Sequence, residues 1–229
     1  MMIYWLQLKK QCSKIRKALK FHKTIGHNSR RDIILSSISF LQLQQDIQAC
    51  RYCQERFGFE PHPVVSGNET AKIMQISQAP SRSVHESRKS FADASGRKLR
   101  QEWYHISDDD FYNPNYFYLT SVAHCYPGKS PSGGDRVPPK CCADKWLMQE
   151  VKAVKNELFL IIGGKAASFF FPYQNFSTLI FQNQQIDGKP AYVLPHPSPL
   201  NQKWFLDHPT FLTERVQEIA VAIHKTLGI

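Results

Sequence analysis

Five of the six cysteines are spaced as metal ligands. Cys50 and Cys53 form a C-x-x-C pair, Cys125 lies far downstream, and Cys141 and Cys142 follow it. Four thiolates are enough for a tetrahedral zinc site or for an iron–sulfur cluster, and the spacing alone does not decide between them. Unrelated buried thiols are the alternative, and disulfides are not expected in a chain without a secretory signal.

Two loops that follow apolar segments have the composition of a ligand-binding edge. The first has the sequence SQAPS at residues 77–81 and follows the apolar run at 71–76. Its proline lacks an amide donor and biases the preceding residue toward an extended conformation, so the nearby amides are free to face a ligand. An ordinary strand-to-helix connection is the alternative for this loop. The second loop, PHPSPL at 195–200, places His196 between two prolines and favours a site.

The elements that would position these loops form an alternating pattern. Strands are predicted at four apolar segments: 71–76, 116–122, 158–162 and 191–194. Helices are predicted at 40–57, 95–104, 143–157 and 210–227. Strands that are apolar on both faces and alternate with helices predict an α/β fold, a three-layer α/β/α sandwich with a central four-stranded, mainly parallel sheet. Ligands bind beyond the carboxyl ends of such strands, so the two loops should share one rim.

The positive charge is concentrated at the N-terminus. Residues 1–40 carry nine Lys and Arg residues against one Asp, whereas residues 41–229 carry 20 against 18 Asp and Glu. The formal charge of +10 is therefore weak evidence for a nucleic-acid partner. We predict a weakly structured basic extension at 1–40, or translated upstream sequence, in preference to a specific DNA contact, and a single domain at 41–229.

The sequence gives no sign of a membrane partner. No apolar run reaches the ~18 residues that cross a bilayer. The apolar segment at 1–8 precedes its basic residues, which is the reverse of a secretory signal. We expect a soluble, cytoplasmic monomer.

Taken together, the motifs resemble the uracil-DNA glycosylase superfamily. The resemblance rests on SQAPS at 77–81, Phe91 eleven residues after the proline, the C-x-x-C pair, CYPG at 125–128 and HPSPL at 196–200. It covers residues 43–227 and is closest to the family 4-like branch, which carries an iron–sulfur cluster. Each motif is modest by itself, and their order and spacing make the set fairly specific.

The resemblance implies hydrolysis of the N-glycosidic bond of a damaged base, typically uracil, in DNA. Phe91 would stack on the extruded base. His196 would donate a hydrogen bond to the carbonyl oxygen that becomes anionic as the bond breaks. The backbone of Ser77, Gln78 and Ala79 would bind the base and the attacking water.

Two residues of the second loop are implied to contact DNA outside the base pocket. Ser198 would bind a phosphate. Leu200 would wedge into the duplex at the place that the base has left.

The chain departs from the family pattern at two points. Relatives often carry Asp or Glu in the first motif to orient water, whereas Gln78 and Ala79 stand there and Gln cannot act as a base. Asp93 and His85 are the nearby candidates. Ser121 stands where relatives use an Asn to recognise uracil, and a single hydroxyl discriminates less strictly than an amide.

The resemblance also favours a 4Fe–4S cluster over zinc. The implied ligands are Cys50, Cys53, Cys125 and Cys142, because a Cys-Ala-x-x-Trp pattern begins at Cys142 and not at Cys141. The implied role of the cluster is structural.

The sequence therefore predicts a base-excision repair glycosylase that acts on uracil or a related deaminated base in DNA. A catalytically silent nucleic-acid-binding module with the same fold and cluster is the alternative.

Overall fold

The computed structural model describes residues 30–58, 60–131 and 133–229, with side chains from residue 39 onward. The chain separates into two units, Met1–Ser36 and Ser37–Ile229. The predicted basic extension lies mostly outside the described residues, so the boundary at residue 40 stays a prediction. Among the described residues, no helix is both long and apolar enough to cross a bilayer.

Helices surround a five-stranded sheet. The strands are β1 (Ile73–Ser77), β2 (Phe117–Ser121), β3 (Leu158–Ile162), β4 (Gln184–Ile186) and β5 (Lys189–Leu194). The α-helices are Arg30–Gln48, Tyr52–Phe57, Arg82–Ser87, Ala94–Lys98, Asp108–Tyr112, Lys140–Cys142, Met148–Ala153, Gly164–Phe170, Phe176–Phe181, Gln202–Asp207 and Val216–Leu227. Wider π-helical turns occupy Leu99–Tyr104, Ala143–Leu147 and Phe211–Arg215, and Pro199–Asn201 is a 3-10 turn.

The strand order is β2-β1-β3-β5-β4, and the pairs β1–β2, β1–β3 and β3–β5 are parallel. Every residue of β1, β2 and β3 is buried, so both faces of the sheet centre are covered by other parts of the chain. The predicted three-layer α/β fold is confirmed.

The prediction of four strands omitted β4, which pairs with β5 in an antiparallel hairpin. This strand is short and polar and therefore lacks an apolar signal. The available signal was the Asp187-Gly188 dipeptide at the turn, where both residues have positive φ, 52° and 74°.

The predicted helix at 40–57 is interrupted. The first helix ends at Gln48, and a separate helix begins at Tyr52. Between them the amide of Cys50 donates to the carbonyl of Ile47, a tighter turn than an α-helix makes. The break places Cys50 in a turn, where it lines the same small cavity as Cys53, Cys125 and Cys142.

Candidate active site

The carboxyl ends of the parallel strands open into one cavity of about 340 Å³. It brings together residues that lie more than 100 positions apart, from Gln78 to His196, with Phe91 also in its wall. The sequence-predicted residues that line it are Ser77, Gln78, Ala79, Phe91, Asp93, Ser121, His196, Ser198 and Leu200. The expectation that the two loops share one rim is confirmed.

Two serine hydroxyls lie side by side in the cavity wall. Ser77 and Ser121 are the last residues of β1 and β2 and are paired in register. Their Oγ atoms are 2.8 Å apart and either one can be the donor. Both side chains are buried. The pair can therefore offer either a donor or an acceptor to a ligand edge.

Phe91 is held in a strained conformation. Its φ of 54° is unfavourable for a bulky residue. Its carbonyl oxygen accepts hydrogen bonds from Arg100 Nη1 at 2.8 Å and from the Tyr112 hydroxyl at 3.3 Å. Its ring packs edge-to-face on Phe111, with centroids 6.0 Å apart. Strain that the surroundings maintain is a feature of ligand-binding residues.

Gly96 is the residue that allows this conformation. A Cβ atom added at Gly96 would lie 1.8 Å from the carbonyl oxygen of Phe91. We predict that Gly96→Ala lowers the free energy of unfolding by about 1–3 kcal/mol, because the loop must move away from Arg100. Chemical denaturation measures the change. Gly134→Ala is the matched control, since nothing lies within 4 Å of its added Cβ, and equal losses in both variants would contradict the prediction.

Asp93 is fixed between two segments of the cavity wall. Its Oδ1 accepts from the amide of Gly96 at 2.9 Å, which caps the helix Ala94–Lys98. Its Oδ2 accepts from the Ser81 hydroxyl, also at 2.9 Å. Each oxygen keeps a further lone pair, so the carboxylate can still accept a proton or a hydrogen bond from water.

His85, the other predicted water-orienting residue, lies elsewhere. It lines a neighbouring cavity with Glu60 and Tyr126 and stacks on His62. It is not among the residues that line the cavity of His196. The geometry therefore favours Asp93 over His85 for the predicted role.

The hydrogen bonds of His196 define how its ring faces the cavity. Its Nδ1 accepts from the amide of Ser198 at 3.3 Å, so the proton of the neutral ring is assigned to Nε2. Asn201 Nδ2 donates to its carbonyl oxygen at 2.7 Å. Burial lowers the pKa of His196 below its usual value, and the charge of Asp93 opposes this effect only in part. The ring is therefore a neutral donor near pH 7.

A pH profile tests this protonation state. Because the pKa of His196 is lowered from 6.5, the neutral ring is the major form at pH 6.5 and above. We predict that the base excision expected from the sequence keeps more than half of its rate when the pH falls from about 8 to 6.5. An acid limb caused by His196 and centred above 6.5 would contradict the assignment.

Four of the five described cysteines line a second, smaller cavity. They are Cys50, Cys53, Cys125 and Cys142. Cys141 does not line it, although its thiol is close enough to Cys53 for a hydrogen bond. Burial, reinforced by the neighbouring thiols, raises the pKa of Cys53 and of Cys125 to about 12. A bound metal cation would stabilise the thiolates and offset the energetic cost of burying their charge. The four cysteines are therefore suitable ligands for a metal group.

Two buried residues place three nitrogen atoms next to these sulfur atoms. Trp146 Nε1 lies 3.4 Å from Cys50 Sγ, and the amide and Nδ1 of His124 each lie 3.3 Å from Cys142 Sγ. Donors of this kind orient ligand sulfurs and stabilise their negative charge.

His124 is in turn held by a fully buried carboxylate. Glu150 Oε2 lies 2.8 Å from His124 Nε2, and Glu150 Oε1 accepts from the hydroxyls of Tyr118 and Thr120. Burial lowers the pKa of His124, but the charge of Glu150 and the contact with Cys142 outweigh it and raise the pKa to about 10. A buried ionic network therefore joins β2 to the cysteine cavity.

Residues 64–220 match the model of the uracil DNA glycosylase superfamily. This range is more than half of the chain and includes both cavity loops. The chain belongs to the uracil-DNA glycosylase superfamily. The resemblance predicted from the motifs is confirmed.

A curated member of the superfamily supports the predicted branch. The type-4 uracil-DNA glycosylase of Archaeoglobus fulgidus is 26% identical over 129 residues. The aligned part is 56% of this chain and 61% of that protein, so the chain spans less than two thirds of the relative.

Sequence reasoning missed several residues of this glycosylase-superfamily site. Gly96 and Arg100 support Phe91 but carry no motif of their own. Glu150 did leave a signal, because it lies on the helical face formed by Trp146, Leu147 and Val151. A carboxylate on an apolar face indicates a buried partner.

Proposed function

We propose that the protein is a DNA glycosylase that hydrolyses the N-glycosidic bond of uracil or a related deaminated base. The observation that carries the proposal is the single cavity in which the Gln78 loop, Phe91 and His196 meet. Its volume suits a base that has left the stack. Superfamily membership supports the same chemistry.

Each part of the cavity has a role in this proposal. The extruded base stacks on Phe91, and its polar edge contacts the Ser77 and Ser121 hydroxyls. His196 donates from Nε2 to the carbonyl oxygen on which negative charge develops, so it stabilises the transition state more than the ground state. Asp93 orients the attacking water toward the sugar carbon.

The exposed end of the second loop would contact the duplex. Ser198 caps the turn Pro199–Asn201 and is proposed to bind a phosphate with its neighbouring amides. Leu200 is 94% exposed at the cavity mouth. An exposed leucine at this position supports the proposed wedge role.

We propose a 4Fe–4S cluster on Cys50, Cys53, Cys125 and Cys142. Neighbouring thiolates on a tetrahedral zinc lie about 3.8 Å apart. Among the described cysteines, no three sulfur atoms lie within 4.8 Å of one another, which suits a group larger than one ion. The cluster would supply a structural crosslink. Protein purified without oxygen should be brown and contain iron, and a colourless protein with stoichiometric zinc would contradict this assignment.

Base release from oligonucleotides tests the activity. The protein is incubated with single- and double-stranded oligonucleotides that contain uracil, hypoxanthine or xanthine, and abasic sites are then cleaved with alkali. We expect strand cleavage at uracil or at another deaminated base. Because Gln78 and Ala79 stand where relatives often carry an acid, a silent DNA-binding module is the alternative, and binding without any cleavage would favour it.

Replacement of Leu200 should affect the excision from double-stranded DNA and from single-stranded DNA differently. We predict that Leu200→Ala lowers kcat/KM on double-stranded DNA about 5- to 30-fold, because a wedge offsets part of the unstacking energy. Excision from single-stranded DNA should change little. Leu206→Ala is the control, because Leu206 is also exposed, at 74%, but does not line the cavity. Equal losses on both substrates would argue against the wedge.

A further inference from the structure

Glu60, His62 and His85 form a compact group of potential metal ligands outside the base cavity. One ligand atom from each residue lies within 4.8 Å of the other two. Glu60 and His62 belong to the loop before β1, and His85 lies in the helix Arg82–Ser87. None of the three side chains has a role in the proposed excision or as a ligand of the proposed cluster; the backbone of His62 makes a hydrogen bond with Cys125.

The separations within the group suit a shared metal ion better than hydrogen bonds. His62 Nε2 is 3.2 Å from Glu60 Oε1, and His85 Nε2 is 3.5 Å from Glu60 Oε2. Charge-assisted hydrogen bonds to carboxylates are shorter, about 2.7–2.9 Å. Neighbouring ligands of a tetrahedral zinc ion with bonds of about 2.0–2.1 Å lie about 3.3 Å apart. The two observed distances bracket that value.

Hydrogen bonds from the Nδ1 atoms do not account for the orientation of the His62 and His85 rings. The rings stack with centroids 4.3 Å apart and an interplanar angle of 20°. Both Nδ1 atoms are buried, and neither has a hydrogen-bond partner among the described residues. The polar group that both rings face is the Glu60 carboxylate.

Arg88 indicates the state of the His62 ring. Its Nη2 lies 3.1 Å from His62 Nε2. A guanidinium has only donors, so the contact requires a lone pair on Nε2, which is the form that binds a metal. Arg88 is exposed directly after the helix Arg82–Ser87, so a bound cation would displace its side chain into solvent.

We propose that Glu60, His62 and His85 bind one divalent transition-metal ion of the zinc type. The two Nε2 atoms and both oxygens of the Glu60 carboxylate supply the ligands, and water completes the coordination. The ion would join the loop before β1 to the helix Arg82–Ser87. Ser81 caps that helix and lines the base cavity, so the ion would also steady one wall of the candidate active site.

Metal titration of the untagged, cluster-loaded protein tests the proposal. We expect one equivalent of Zn²⁺ to bind in calorimetry and to raise the melting temperature. In a difference spectrum against the Co²⁺-free protein, Co²⁺ should give ligand-field bands without the intense sulfur-to-cobalt charge transfer that cysteine ligands produce. Glu60→Gln and His85→Gln should each weaken Zn²⁺ binding by at least about tenfold, and the double replacement of His62 and His85 by Gln should abolish it.

Three controls make the outcome decisive. Glu60→Gln changes a side chain that is 69% exposed, so it should leave the metal-free melting temperature unchanged. Arg88→Gln should bind Zn²⁺ at least as tightly as the wild type, because it removes a competing positive charge. His105→Asn changes a histidine outside the group and should have no effect. No binding by the wild type, unchanged affinity in Glu60→Gln and His85→Gln, or a thiolate charge-transfer band would overturn the site.

This site stands apart from the proposed glycosylase activity. A protein that binds Zn²⁺ through these residues but releases no base would keep the metal site and contradict the proposed function. A protein that releases the base but does not bind Zn²⁺ through these residues would contradict the metal site alone.

Discussion

Replacing His196 with Ala should reduce single-turnover excision of uracil about 10²- to 10³-fold, which is the usual effect of removing one donor to a developing oxyanion. The donor is held in place before reaction, because the Ser198 amide occupies Nδ1 and Asn201 holds the backbone carbonyl. The neutral ring carries its proton on Nε2, so it can donate this hydrogen bond without a prior change of protonation state. The loss should appear in the single-turnover rate constant at saturating enzyme, since the hydrogen bond strengthens only as charge develops on the base.

The matched variant is His196→Gln, whose side-chain amide can still donate. We expect it to retain more activity than His196→Ala, and the circular dichroism spectrum of both variants should match that of the wild type, which checks that the fold is intact. Excision by His196→Ala within about twofold of the wild type would remove His196 from the mechanism.

Replacing His124 with Ala should lower the free energy of unfolding by about 3–5 kcal/mol, the cost of leaving one member of a buried ion pair without its partner. Glu150 is fully buried, and its Oε2 would lose the ring 2.8 Å away. The hydroxyls of Tyr118 and Thr120 would remain on Oε1 and could not supply the missing charge. Cys142 would lose the contact from the ring at the same time.

Chemical denaturation monitored by circular dichroism measures this loss, and iron content monitors the proposed cluster. Glu150→Gln is the informative comparison, because it removes the charge but keeps an oxygen for Tyr118 and Thr120. We expect a smaller loss of stability in Glu150→Gln than in His124→Ala. A loss of stability below about 1 kcal/mol in His124→Ala would mean that the His124–Glu150 pair does not stabilise the fold as predicted.

Local patterns predicted the strands of the sheet centre because those strands are apolar along their whole length. The segment at 158–162 agrees with β3 residue for residue, and the other three predicted strands agree with β1, β2 and β5 except at their ends. The loops at their carboxyl ends were predicted to meet because parallel strands share one direction. The short strand β4 and the break after Gln48 escaped prediction because neither has an apolar period.

The amino-acid sequence by itself determined four of the five strands, the convergence of the Gln78 and His196 loops and the superfamily, because continuous apolar runs and motif order can be read directly along the chain. Only the tertiary structure decided which side chains support the site. Three contacts join segments whose residue types alone predict no contact. They are those of Gly96 with the strained Phe91, of the buried Glu150 with His124, and of Glu60 with His85. Such contacts depend on how helices and loops pack on the sheet, and packing is set by the whole chain together.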